Sequence, residues 1–114
     1  MIDWGRVETL FEEIGEEDFF EVVQIFLEES DSVIARLETA PDPDLYEEDL
    51  HFLKGSALNL GFSDLAALCQ VGERQAAAGS ADCIDIGPIL QCYGASVTAF
   101  AKRGGSLSQR SSAA

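Results

Sequence analysis

The sequence predicts an all-α fold, an up-and-down antiparallel four-helix bundle with a short additional N-terminal helix. Three observations carry that prediction. No segment alternates apolar and polar residues over strand length, whereas apolar residues recur at three- and four-residue intervals along most of the chain. Glycine and proline interrupt this pattern at Gly15, Pro41, Pro43, Gly61, Gly79 and Pro88, leaving short joints that favour antiparallel neighbours. The length of 114 residues suits one domain whose core needs neither disulfides nor a structural metal.

The first helix starts at Asp3 and sets Trp4, Val7, Leu10 or Phe11, and Ile14 on one side, with Gly15 as its stop. A longer second helix, from about residue 17 to 39, places Phe19, Val23, Phe26, Val33 and Leu37 near one stripe. Acidic residues gather at its N-terminus, where the helix dipole favours them. Asp42 is positioned to cap a third helix with Pro43 in its first position, running to about Leu60 and closed by Gly61. Ser63 is the expected cap of a fourth, with Leu65, Leu68, Cys69, Gly72 and Ala76 inward and Gly79 as its stop. The fifth follows Asp85, has Pro88 in its first turn, and faces the core with Ile89, Tyr93, Val97 and Phe100. Gly72 and Gly94 mark either close helix crossings or merely tolerated glycines. The expected domain covers residues 1–103, and the "GGSLSQRSSAA" end, residues 104–114, has the composition of a disordered tail.

The composition, 46% apolar and 25% charged, is that of an ordinary globular chain. Its apolar runs fall short of a membrane span, and "MIDWGRVETL" lacks the features of a signal peptide, so no membrane association and a cytoplasmic location are expected. Cys69, Cys83 and Cys92 form no CxxC spacing and read as small buried hydrophobes. With a single histidine they do not make a zinc pattern, and no metal is expected. The net charge of −14 argues against nucleic acid. That charge is uneven. Residues 1–50 carry 17 acidic and 2 basic side chains, and residues 51–114 carry 4 and 5.

The boundary between the two halves falls at the histidine, in "HFLKGSALNLGF", residues 51–62. Projected at about 100° per residue, Tyr46, Leu50, Leu53, Ala57 and Leu60 share the core side of the third helix. Glu47, Glu48, His51, Lys54, Gly55 and Leu58 fall opposite. His51 therefore points to solvent. Lys54 lies one turn along, where an ammonium stands beside any anion the imidazole acquires. Gly55, also one turn along, removes a side chain that would crowd the ring, although glycine costs a helix about 1 kcal/mol relative to alanine. Leu58 puts an apolar group on an otherwise solvated face. Together these residues describe a nucleophile with a counter-charge, open access and a patch for docking.

This segment closely resembles the signature of histidine-containing phosphotransfer (HPt) domains, H-x-L-K-G-(S/A)-(S/A)-x-x-(L/I)-G. It fits at His51, Leu53, Lys54, Gly55, Ser56, Ala57, Leu60 and Gly61, and "LAALCQVGERQAAAG" is similar to the family's next helix. The resemblance implies a phosphorelay intermediate of a two-component signalling system. His51 would accept a phosphoryl group, through Nε2, from an aspartyl phosphate on a response-regulator receiver domain and pass it to an aspartate on another. Lys54 would steady the phosphoryl oxygens. The chain would need no cofactor, the divalent metal residing only on the partner receiver, and its partners would be such receivers and a hybrid sensor histidine kinase. No autonomous kinase or hydrolase activity is expected, because nothing resembles an ATP-binding domain and no nucleophile–base pair is evident.

The resemblance also implies a polar residue presented to the histidine from the next helix; Gln70, Glu73 and Arg74 are the candidates, and Glu73 there would repel a phosphate. Phe52 and Phe62 are candidates for the rim of the docking surface. An alternative reading is a non-phosphorylated helical adaptor that only binds a receiver domain, but it needs neither His51 nor Lys54. Another is a piece of a larger kinase; Met1 and the tapering end favour an independent protein, and a monomer suits a carrier with successive partners.

Overall fold

The computed structural model describes the backbone of residues 2–113 and the side chains of residues 2–102. It is helical, with no strand among the described residues. The α-helices are α1 (Trp4–Ile14), α2 (Glu16–Thr39), α3 (Tyr46–Leu60), α4 (Ser63–Ala77) and α5 (Gly87–Ala113), with 3-10 turns at Pro43–Leu45 and Ala81–Cys83. The residues expected as a disordered tail, 104–114, lie outside those described to side-chain level.

α3 and α4 form a tight hairpin with the most extensive interface in the molecule. α2 packs on α3 and α5, α4 on α3 and α5, and α1 lies across α2 and α3. The core stripes follow the apolar periodicity: Val7 and Leu10 of α1, Phe19, Val23, Val33 and Leu37 of α2, and Tyr46, Leu50, Leu53, Ala57 and Leu60 of α3 are buried. α5 adds Ile89, Tyr93 and Phe100.

Caps fix where the helices begin. The Asp3 carboxylate accepts the Arg6 N–H at 3.1 Å and opens α1. Asp42 accepts the Asp44 N–H at 3.0 Å with Pro43 first, as expected, but what it opens is a 3-10 turn, so α3 proper starts at Tyr46. The Leu45 N–H bonds the Asp42 carbonyl, three residues back, and this tighter winding delays the α-helix. Ser63 is the first residue of α4, and Phe62 holds the cap position. Burial of Phe62 edge-on against Phe100 fixes the joint one residue earlier than the hydroxyl suggests.

Gly61 is the residue on which the α3–α4 turn depends. Its φ of +77° is left-handed, and a β-carbon there would lie 2.6 Å from the Asp3 carbonyl oxygen. The Asp3 N–H donates to the Gly61 carbonyl at 2.6 Å, and Trp4 stacks on Phe100, so α1 is seated on this turn. Of the two glycines proposed at crossings, Gly72 is one: a β-carbon would stand 2.6 Å from Leu50 Cδ1. Gly94 is not, with open space around it. Leu68, expected inward, is exposed, because its flank of α4 borders an open groove whose other side is formed by Ile84 and the first turn of α5 at Pro88.

Two polar links cross the helices. Arg36 of α2 forms an ion pair with buried Asp49 of α3, and the Tyr93 hydroxyl of α5 donates to Asp31 of α2. Burial first, and then that bond, push the Tyr93 phenol well above its ordinary pKa. Among the described residues no helix is long and apolar enough to cross a membrane.

Candidate functional site

The rotation of α3 is set by its buried side. Leu50 and Leu53 are almost completely enclosed, so the residues between and beyond them are turned outward. His51 is the result, with its side chain 70% exposed. The rotation of α4 is set in the same way by Leu65, Cys69 and Gly72, all buried. Because Gly72 carries no side chain, α4 approaches α3 closely at Leu50, and the next residue, Glu73, is delivered to the histidine.

There the three groups meet. Glu73 Oε1 lies 2.7 Å from His51 Nδ1. Lys54 Nζ donates to Glu73 Oε2 at 2.8 Å and to Oε1 at 3.3 Å. Lys54 and Glu73 are mostly covered, at 23% and 19% exposure, while the ring stands free above them. The Lys54 hydrogen bond, followed by that of His51, holds the Glu73 carboxyl below the usual carboxylate range. An ionised carboxylate only accepts hydrogen bonds, so Nδ1 is the donor. In a neutral imidazole that assignment leaves the lone pair on Nε2, the outward nitrogen. The ammonium has three N–H donors; two are engaged by Glu73, and the third has no partner among the described residues.

Of the three candidates on α4, the structure brings Glu73 to His51. Gln70 and Arg74 are exposed and make no hydrogen bond to the site. The sequence carried a signal that separates them. Taking Leu65, Cys69, Gly72 and Ala76 as the inner face, Glu73 lies about 70° from its centre, Gln70 about 130° and Arg74 about 170°. Only the first of these reaches a neighbouring helix.

The surroundings of the ring differ on its two sides. Toward the N-terminus of α3 a shallow depression is lined by Asp44, Glu47, Glu48, His51 and Glu73. Toward the C-terminus come Gly55, where a β-carbon would meet nothing within 4 Å, and Leu58, 56% exposed. Phe52 is at the surface on the flank of α3, whereas Phe62 is buried and forms no part of a rim. Asn59 closes this strip, donating to the Gly55 carbonyl at 3.0 Å and accepting from Arg6 of α1 at 3.4 Å.

The cysteines are unevenly placed: Cys69 is buried, Cys92 half-buried, and Cys83 exposed, against the expectation that all three are interior. Burial pushes the Cys69 thiol up to about 12, which leaves it unreactive. No group of side chains that could hold a metal ion occurs among the described residues.

No curated protein and no solved structure gives a match to this chain. A family model does: the Hpt domain, over residues 21–101. The matched segment contains α3 and α4 entire, and with them the exposed histidine, its lysine and the open glycine. The chain thus belongs to the Hpt domain family, whose members take part in histidine phosphotransfer in two-component phosphorelays.

Proposed function

We propose that this chain is a phosphocarrier that holds a phosphoryl group on His51 between aspartates of receiver domains. The observation that carries the reading is the disposition of the ring: Nδ1 is engaged by Glu73 at 2.7 Å and the remainder of a 70% exposed side chain faces solvent. Such a ring offers Nε2 to an incoming aspartyl phosphate. In acceptance, the Nε2 lone pair forms the N–P bond as the acyl-phosphate O–P bond breaks, and that electron pair returns to the receiver's carboxylate. Lys54 directs its remaining N–H at a phosphoryl oxygen, and Gly55 leaves the space through which a receiver descends. Leu58, with Phe52 on the flank, supplies apolar contact.

The receiver brings the aspartate, the divalent metal and most of the transition-state stabilisation, so the carrier itself needs no metal. The arrangement this reading assumes is an antiparallel four-helix bundle, in keeping with each of the four longer helices touching two of the others. The test is to incubate the protein with phosphorylated receiver domains and follow the label. Acid-labile, alkali-stable label that disappears in His51→Gln supports the carrier. Receiver binding without label in the native protein would favour the adaptor reading instead.

A further inference from the structure

The 2 basic side chains of residues 1–50 are held in different ways. Arg36 is paired with buried Asp49. Arg6, on α1, forms no ion pair with any described residue. The carboxylate nearest to it in sequence, that of Asp3, is turned to the Arg6 backbone N–H at 3.1 Å. The guanidinium instead donates to the Asn59 side-chain oxygen on α3 at 3.4 Å, a long bond to a neutral group. Asn59 is itself fixed, since its Nδ2 donates to the Gly55 carbonyl at 3.0 Å. A charged fork on a half-buried side chain is thus held at the end of the strip that carries Gly55 and Leu58. α1 precedes residues 21–101, so this cation lies outside the segment that matches the family model.

Distance along α3 decides whether a partner meets Arg6. Asn59 is eight residues beyond His51, about 12 Å along the axis, and Glu47 is four residues before it, about 6 Å. A specific interface takes about 800 Å² from each partner, a patch roughly 30 Å across. One centred on the ring therefore covers Leu58 and Arg6 at one end and Asp44, Glu47 and Glu48 at the other. Arg6 is too far from Nε2 to touch the phosphoryl group. Covering an unpaired guanidinium strips away its water, which is unfavourable unless an anion takes the place of that water. A carboxylate matches the fork with two parallel hydrogen bonds.

We infer that Arg6 is a specificity-determining residue, selecting receiver domains that present a carboxylate to it when their aspartate stands over His51. This rests on the phosphocarrier reading. It also gives docking a direction. The strip is polarised: the carboxylates of Asp44, Glu47 and Glu48 lie on one side of the ring, and Leu58 and then the Arg6 cation on the other. A receiver turned end for end would set its carboxylate against those three acids, and like charges facing each other oppose that arrangement.

The test compares two kinds of donor. Phosphoramidate, a small phosphoryl donor to imidazoles, reports the ring without docking; phosphorylated receiver domains, screened for transfer to the native chain, must dock. The native protein, Arg6→Lys, Arg6→Gln and Arg6→Glu are labelled with each, and Tm is measured on the same samples. Lysine and glutamine both retain a donor for Asn59, so they separate the charge from the α1–α3 link. Labelling by phosphoramidate should be alike in all four. Receiver kcat/KM should fall about tenfold in Arg6→Gln and about 100-fold in Arg6→Glu, mainly through KM, with Arg6→Lys between Arg6→Gln and the native protein. The native advantage should shrink as salt rises from about 0.01 to 1 M. Exchanging the acidic residues of the receiver's docking face for lysine one at a time should yield a receiver that restores transfer to Arg6→Glu. Equal receiver kcat/KM in native and Arg6→Glu, losses that follow Tm rather than charge, or no restoring receiver would each overturn the inference. A native dimer that Arg6→Glu dissociates would overturn it too, assigning Arg6 to a second copy of the chain. Label from phosphoramidate but from no receiver overturns the inference and leaves a reactive His51. Label from neither defeats the carrier reading, and this inference with it.

Discussion

Gly72 and Gly55 sit in the two helices of one hairpin, yet they meet opposite surroundings. A β-carbon at Gly72 would stand 2.6 Å from Leu50 Cδ1, inside the α3–α4 interface; at Gly55 it would meet nothing within 4 Å. The first glycine exists for the protein's own packing. The second serves nothing within the chain that packing can explain, and both lie close to the same histidine. The inner seam therefore decides where the site is, and the outer strip decides what reaches it. Substitutions on the seam should change stability, and function only through it; substitutions on the strip should change function and spare stability.

The largest effect expected on the strip is that of His51→Gln. It should abolish phosphoryl acceptance while stability stays within about 0.5 kcal/mol, because an exposed side chain contributes little packing. Labelling assays and thermal melts on the same sample check both. The corresponding seam variant, Gly72→Val, forces a branched side chain onto fully buried Leu50 and should cost about 1–3 kcal/mol, lowering Tm by about 10 °C. An unchanged Tm would remove the steric reading of that crossing.

Gly55→Gln sharpens the contrast. Transfer from a receiver domain should fall by up to about 100-fold, since misplacement of about 1 Å is enough for that loss. Tm should hold or rise, because glutamine is the better helix former. Labelling by phosphoramidate, which needs little room, should persist. Gly55→Ala should lie between. A destabilised Gly55→Gln, or a stable one with full transfer, would show that access is not the reason for the glycine.

Lys54→Ala should slow transfer about tenfold, roughly 1.4 kcal/mol of transition-state stabilisation, with a smaller change in receiver affinity. Rapid-quench rates set against binding titrations separate the two; a large loss of affinity at an unchanged rate would make Lys54 a docking residue. The smallest effect is a control outside both regions. Gly94→Ala, in open space on α5, should stabilise by about 0.5–1 kcal/mol and leave transfer as it was.

Much of this was legible in the sequence, for reasons that differ by residue. The core stripe of α3 could be read because five apolar residues repeat at helical spacing, and the same wheel turned His51 outward. The glycine stops were legible because a left-handed residue ends a helix with little competition. The partner of His51 was harder: the helical wheel ranks Glu73 nearest the inner face of α4, ahead of Gln70 and Arg74, but whether it reaches the ring depends on how near Gly72 lets the two helices come. The start of α3 and the burial of Phe62 were not legible either. Both depend on the local choice between 3-10 and α winding, or on an aromatic contact with Phe100, thirty-eight residues away in the chain. Leu68 shows the limit of periodicity, for an apolar residue on the edge of a stripe is buried only if a neighbour covers it.

The turn at Gly61 has a kinetic consequence. Only Gly61 and Phe62 stand between α3 and α4, so His51, Lys54 and Glu73 all come from one hairpin, and His51 and Glu73 are only twenty-two residues apart. Local contacts close early because their loop entropy is small. The site is thus assembled from the nearest-neighbour part of the fold, while α1 and α5 are recruited from the two ends of the chain. On a ribosome the cluster of His51, Lys54 and Glu73 has its complete set of residues before α5 has been synthesised. Pulse-labelling hydrogen exchange should accordingly find amides of α3 and α4 protected ahead of those of α1, and simultaneous protection throughout would contradict that order.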